Sequence, residues 1–301
     1  MIHLTSSSRL KSASAFAVAF FGFVAVGIAQ SPQQQAPFVT HSLKPNVYWV
    51  EGGGGNSGVL VGADEVIVID AKTTQGGGKE LLDAIAKITS KPVTTVILTH
   101  SDGDHVNGLA AFPSGVKVIA HENNKKEQEA ALAKGGRGVP PADHLPNQVL
   151  TKNKESLTVG GVAFELYHWG QAHTSGDLVV LLPQEKIVFT GDIIAANRPE
   201  PLIHLEKNGS SEGWIQTAKG VAALDATVFI PGHGAPQTKA DIEARISQTE
   251  AKRAKILDLI SQGKTLDEVK TALGEPATAA GGSGPNFPTF TEVVYRESGK
   301  K

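Results

Sequence analysis

Apolar residues fall in short runs broken by glycine, and their spacing switches between strand-like and helix-like periods along the chain. Tyr48-Trp49-Val50, Val59-Leu60-Val61 and Val66-Ile67-Val68-Ile69 read as three strands, with Gly52-Gly53-Gly54-Gly55 joining the first two. The simplest role for that turn is hairpin flexibility rather than a substrate flap, and no helix follows it to form a phosphate loop. Lys79 to Ser90 carries apolar residues at 81, 82, 85 and 88, a helical period that Pro92 ends. Val93 to Leu98 predicts a buried strand, Asp104 a helix start, and Val116 to Ala120 another strand. Residues 122–134 predict a charged helix with a solvated face. Strand patterns return at Val149-Leu150, Leu157 to Val159, Val162 to His168, Leu178 to Leu182, Ile187 to Thr190 and Val228 to Ile230. Helical periods cover Glu212 to Leu224, residues 238–262 and Thr265 to Leu273. The Gly/Pro-rich tail ends with Phe287, Phe290, Val293, Val294 and Tyr295, which predict that it docks. Strands in runs, with helices between and after them, fit two sheets covered by helices, an α/β (α+β) class.

Composition narrows the function classes. With 301 residues, 40% of them hydrophobic, the chain can bury a full core as one large domain. A formal charge of −2 and a pI near 6.6 leave no basic face for nucleic acid, so a small-molecule substrate is the expected partner. There is no cysteine, which excludes disulfides, thiolate metal sites and cysteine nucleophiles. Near the start, Arg9 and Lys11 precede the uncharged apolar run Ala13 to Ala29, which ends in the small residues of Gly27-Ile28-Ala29. That is the layout of a secretory signal peptide, and the run is at the short edge of the roughly 17–25 residues of a membrane anchor. Cleavage near Gln30 would leave a periplasmic or secreted chain without a stable membrane anchor. The expected organisation is a signal peptide over 1–29, a flexible leader over 30–43, a catalytic domain over 44–262, and a C-terminal helix and tail over 263–301.

The chemistry concentrates in THSDGDHVNG, Thr99 to Gly108, directly after the strand pattern ending at Leu98. His100, Asp102, Asp104 and His105 fall within six positions there, at a place where side chains reach the rim of a sheet. Three later segments repeat the arrangement: His173 after Val162 to Leu166, Asp192 after Ile187 to Phe189, and His233 after Val228 to Ile230. Each lies near a glycine that lets the backbone turn. If those strand ends share one rim, all seven residues converge, and imidazole plus carboxylate without thiolate suits zinc, iron or manganese. His121, His144, His168 and His204 stay outside the set, although His168 could support a ligand segment. Asp177 has either a supporting or a turn role, and Lys72 and Thr73 are given none. The loops 135–147 and 193–211, with Arg137, Arg198, His204 and Lys207, are expected to shape a pocket.

The motifs resemble the metallo-β-lactamase-fold hydrolase superfamily over most of residues 44–240. His-x-His-x-Asp-His aligns with His100-Ser101-Asp102-Gly103-Asp104-His105, and the later ligands match His173 in GQAHTSGD, Asp192 in FTGD and His233 in PGHG. The resemblance implies an αββα sandwich of two mixed β-sheets and a dinuclear site. His100, position 102 and His173 would hold one metal, Asp104, His105 and His233 the other, with Asp192 bridging. It also implies hydrolysis by a metal-bound hydroxide, with Asp104 as the catalytic acid or base. Asp102 stands where the family has a histidine. A ligating carboxylate there implies a weaker Lewis acid, and flavodiiron relatives with an acid at this position bring iron or manganese beside zinc. Otherwise Asp102 lies behind the ligands and one metal binds tightly. Asp192 resembles the thioesterase, lactonase (glyoxalase II-like) and arylsulfatase-like branches more than true β-lactamases. The alternatives are a β-lactam-hydrolysing enzyme, a mononuclear iron oxygenase, and a non-catalytic, metal-poor binding protein on the same fold.

Overall fold

The Val/Ile-rich runs pair into two sheets in the computed structural model, which describes Met1 and residues 38–135, 139–276 and 287–299. The predicted signal segment after Met1, the leader to residue 37, and Arg137 lie outside the described residues. One sheet contains β1 (Val39–Lys44), β2 (Val47–Glu51), β3 (Ser57–Val61), β4 (Val66–Ile69), β5 (Val93–Ile97), β6 (Lys117–His121) and β7 (Gln148–Leu150), side by side in chain order. Its strands are antiparallel as far as β4 and parallel from β4 to β7. The other contains β8 (Lys154–Val159), β9 (Val162–Tyr167), β10 (Val179–Leu182), β11 (Ile187–Phe189) and β12 (Val228–Ile230), with only β11 and β12 parallel. The helices are α1 (Gln75–Ala86), α2 (Gly103–Val106), α3 (Glu122–Ala133), α4 (Ser211–Ala223), α5 (Lys239–Ser261), α6 (Leu266–Ala272) and α7 (Phe290–Glu297).

The two-residue period of the strands sorts their side chains into layers. Ile67 and Ile69 of β4 point between the sheets and share a core with Phe164, Leu166, Val180 and Phe189. Val66 and Val68 point outward and pack with Leu81 and Ile85 of α1. On the far side, Val179 and Leu181 of β10 meet Trp214 of α4, Ile246 of α5 and Val293 of α7. The result is the expected αββα sandwich, with apolar surface buried in three successive layers.

Three local expectations are corrected. Residues 39–43, assigned from the sequence to a flexible leader, form strand β1 with Lys44 and pair with β2; the exposed, polar-alternating pattern is that of a sheet edge. Helix α1 begins at Gln75, four residues before its predicted start, because the Thr74 side chain caps it by accepting from Gly77 N at 3.0 Å. Gly76, Gly77 and Gly78 carry no side chain and conceal the period. The helix expected to start at Asp104 starts at Gly103, lasts one turn, and tightens to a 3-10 helix over Asn107–Ala111. The tail does dock: Phe290, Val293, Val294 and Tyr295 enter the same core as α4 and α5, as does Val269 of α6, so the described chain beyond 262 shares the core of the preceding domain. Among the described residues no helix is long and apolar enough to cross a membrane.

Candidate metal centre

The ends of β4, β5, β9, β11 and β12 deliver Asp70, the 100–105 loop, His173, Asp192 and His233 to one rim. All seven predicted ligands come together there, in two groups. His173 Nε2 lies 3.1 Å and His100 Nε2 3.9 Å from Asp102 Oδ2, and ligand atoms of His100, His173 and Asp192 lie within 4.8 Å of one another. In the second group Asp104, His105 and His233 meet the same limit of 4.8 Å, with His233 Nε2 3.0 Å from Asp104 Oδ2. Asp192 stands between them, its Oδ1 3.3 Å from His105 Nε2 and 3.5 Å from His233 Nε2.

This donor set fits divalent cations. His100 Nε2 and Asp192 Oδ1 are buried with no hydrogen-bond partner, an arrangement that costs free energy unless something else satisfies their lone pairs. His100, His105, His173 and Asp192 are shielded from solvent, whereas the Asp104 side chain is 35% exposed and faces the cavity. Burial works against charge on His105, yet Asp104, Asp70 and Asp192 raise its pKa well above the usual imidazole range. Burial likewise opposes charge on His173, but Asp102 raises its pKa to about 9. His100 goes the other way, lowered by burial and by its two imidazole neighbours. Burial would raise the Asp102 and Asp192 pKa values; the surrounding imidazoles outweigh it and hold both well below the carboxylate range. Such a pocket attracts cations, and cations must displace protons to enter it.

Several supporting residues are not singled out from the sequence, although Asp70, like Asp192, lies just past a strand pattern. Asp70, in the left-handed backbone region at φ 59°, places Oδ2 2.8 Å from His105 Nδ1 and accepts from Thr99 Oγ1 at 2.7 Å. It fixes the ring so that Nε2 faces the site. Lys72, unassigned from the sequence, is fully buried and donates to Val50 O at 2.7 Å and Gly55 O at 2.8 Å. The glycine turn is a close-packed wall as well as a hairpin. A Cβ on Gly55 would strike the His105 ring, while Gly55 N donates to Asp104 O at 3.1 Å and Asn56 N to Gly232 O at 2.7 Å. Gly232 is similarly required, since a Cβ there would fall on Asp192 Oδ1.

The other candidates separate cleanly. His168 stacks on His121 with ring centroids 3.7 Å apart and places Nδ1 2.9 Å from Asp177 O. His144 Nε2 lies 3.0 Å from Phe112 O. Asp177 closes the turn behind His173 by accepting from Thr174 N at 2.9 Å and Thr174 Oγ1 at 2.7 Å. Asp102, Asp104, Asp192 and His233 line a cavity of about 860 Å³ together with Arg198, His204 and Lys207 of the predicted pocket loop. Phe287, Pro288 and Arg296 of the C-terminal segment complete its wall.

Comparison with known proteins agrees with this geometry. The metallo-beta-lactamase superfamily matches residues 50–233, which include all seven predicted ligands and more than half of the 301 residues. The alpha subunit of 2,4-dinitroanisole O-demethylase from Nocardioides sp. (strain JS1661) is 24% identical over 76% of this chain and 67% of its own. The metallo-beta-lactamase IND-1 of Chryseobacterium indologenes is 27% identical over 59% of this chain and 71% of its own. Among solved structures, the stereoselective inverting sec-alkylsulfatase Pisa1 from Pseudomonas sp. superposes with a TM-score of 0.62 at 18% identity. That match covers 85% of this chain, which spans about half (47%) of the sulfatase. With the αββα fold and the two groups of potential metal donors on the same rim, the match shows that the chain belongs to the metallo-beta-lactamase superfamily, a family of metallo-hydrolases.

Proposed function

We propose that the protein is an exported hydrolase of a small ester, thioester, lactone or related bond, acting with two divalent cations. The observation that carries this reading is the paired donor set, with Asp192 adjoining both groups and with His100 Nε2 and Asp192 Oδ1 buried without a hydrogen-bond partner. His100, Asp102 and His173 would hold one cation and Asp104, His105 and His233 the other. Zinc suits the imidazoles, and Asp102 brings iron or manganese within range. When bound, such cations supply Lewis acidity toward the substrate oxygen and lower the pKa of water in the site. Asp104, open to the cavity and 3.0 Å from His233, is placed to orient the attacking water and to accept its proton. Leu202, Leu205, Phe287 and Pro288 offer an apolar wall to the acyl or alkyl portion of the substrate. Arg198 and Arg296 at the same cavity favour a substrate with an anionic group.

The test is to produce residues 30–301, measure bound metal, and assay lactone, thioester, carboxylic ester, phosphoester, sulfate ester and β-lactam substrates. Two metal equivalents with turnover of at least one class are expected. A protein that binds no metal and stays inert after zinc, manganese or iron is supplied would refute the proposal. Export is tested separately, by whether the mature chain recovered from the periplasm or medium begins near Gln30.

A further inference from the structure

Asp102 is the one ligand position that departs from the family motif, and a cation sits on its far oxygen. Lys207 Nζ lies 2.6 Å from Asp102 Oδ1 and also donates to Ser101 O at 3.0 Å and Ser101 Oγ at 2.9 Å. These acceptors occupy all three ammonium hydrogens. Ser101 Oγ donates to Glu127 Oε2 at 2.5 Å, and Glu127 Oε1 accepts from Ser175 Oγ at 2.7 Å. Ser175 N then donates to Lys207 O at 2.8 Å, closing a ring through four separate segments of chain. The loop bearing Lys207 is tied to the same ligand group, since His204 N donates to His173 O at 2.8 Å and His173 Nδ1 lies 2.8 Å from Leu202 O. The opposite oxygen, Asp102 Oδ2, faces His173 and His100.

We propose that Asp102 and Lys207 act as one neutral donor in place of the family's histidine. The ammonium engages Oδ1, so Asp102 presents Oδ2 alone to the cation, and the pair carries no net charge, as an imidazole carries none. This rests on the reading that Asp102 lies in the metal site, and it changes the charge count there. Of the three acidic ligands Asp102, Asp104 and Asp192, one is cancelled from outside, so the site is not the electron-rich, weakened Lewis acid that the sequence implies. Lys207 is thus a positioning and charge-setting residue without itself contacting the cation.

The inference is tested by a double-mutant cycle read as zinc affinity of the metal-free protein, by competition with a chromophoric chelator. The proteins are wild type, Asp102→His, Lys207→Met, the double variant and Lys207→Arg, each first checked for folding by circular dichroism. Asp102→His alone leaves the ammonium facing an imidazole and a dication, so zinc binding at the His100 group should weaken by about tenfold. Adding Lys207→Met should restore it to within about threefold of wild type, because contacting charges are coupled and removing both cancels the penalty. Lys207→Arg, which keeps the charge, should stay within about threefold of wild type. In the cobalt-loaded protein Lys207→Met should lower the visible absorptivity as Oδ1 becomes free to join the coordination. If Asp102→His does not fold, the cobalt spectra of Lys207→Met and Lys207→Arg decide alone. Identical effects of Asp102→His in both backgrounds, or matching cobalt spectra for Lys207→Met and wild type, would overturn the inference while leaving the metal site intact. Failure of the wild type to bind zinc or cobalt would instead overturn the underlying reading of the site.

Discussion

Asp70→Asn isolates one charge and one proton behind the second cation group. In the native protein Asp70 accepts three hydrogen bonds: Oδ2 from His105 Nδ1 at 2.8 Å and Thr99 Oγ1 at 2.7 Å, and Oδ1 from Thr99 N at 2.8 Å. Its φ of 59° is a conformation that asparagine adopts as readily as aspartate, so the backbone has no reason to move. An amide, however, has one accepting oxygen where the carboxylate has two. Placed at Oδ1, its NH2 confronts the Thr99 N–H, donor against donor. Placed at Oδ2, it drives the His105 hydrogen onto Nε2, the atom that faces Asp104, Asp192 and His233. Neither placement preserves both the loop and the ligand. The lost charge-assisted bond should lower stability by about 1.5–3 kcal/mol. Losing the partner behind a metal-ligating histidine should weaken the second cation by about 10–100-fold. Denaturant unfolding gives the first quantity, and stepwise metal titration of the metal-free protein gives the second. The His100 group should change less, since Asp70 is hydrogen-bonded to it through Thr99 Oγ1, 2.9 Å from His100 Nδ1, and not to one of its imidazoles directly. Full-affinity binding of two cations by Asp70→Asn would refute the assignment of His105 as a ligand held by Asp70.

Two further substitutions test the walls of the site. Burial, opposed by Asp70 and Glu51, lowers the Lys72 pKa from 10.5 to about 7, so the unfolded chain binds more protons between those values and wild-type stability rises with pH across that window. Lys72→Met has no titrating group at this position. The stability difference between wild type and variant should therefore shift in favour of wild type by about 3 kcal/mol from pH 7 to 10, and a flat difference in urea denaturation would contradict it. Gly232→Ala places a methyl on Asp192 Oδ1, a carboxylate oxygen too buried to swing aside. It should cost about 1–3 kcal/mol and reduce bound metal below two equivalents by elemental analysis; retention of both cations would show that Asp192 does not bridge.

What could be read from the sequence, and what could not, follows from the range of the forces involved. The central strands are legible because burial on both faces writes continuous apolar runs, as in β4 and β10, and the candidate ligands because each lies past a strand pattern near a glycine. Features without side chains or without local partners are not. The three glycines of α1 hide its first turn, and β1 reads as leader because an edge strand needs few apolar residues. Asp70 meets His105 across 35 positions, and Lys207 meets Asp102 across 105, with nothing in either local pattern to announce the contact. The consequence is greatest at Asp102. Taken alone, an acid at a histidine position adds a negative charge and argues for a different metal. Taken with Lys207, it adds none. The charge of a metal site belongs to its tertiary contacts as well as its ligands, so metal preference here should follow the residue pair and not the motif alone.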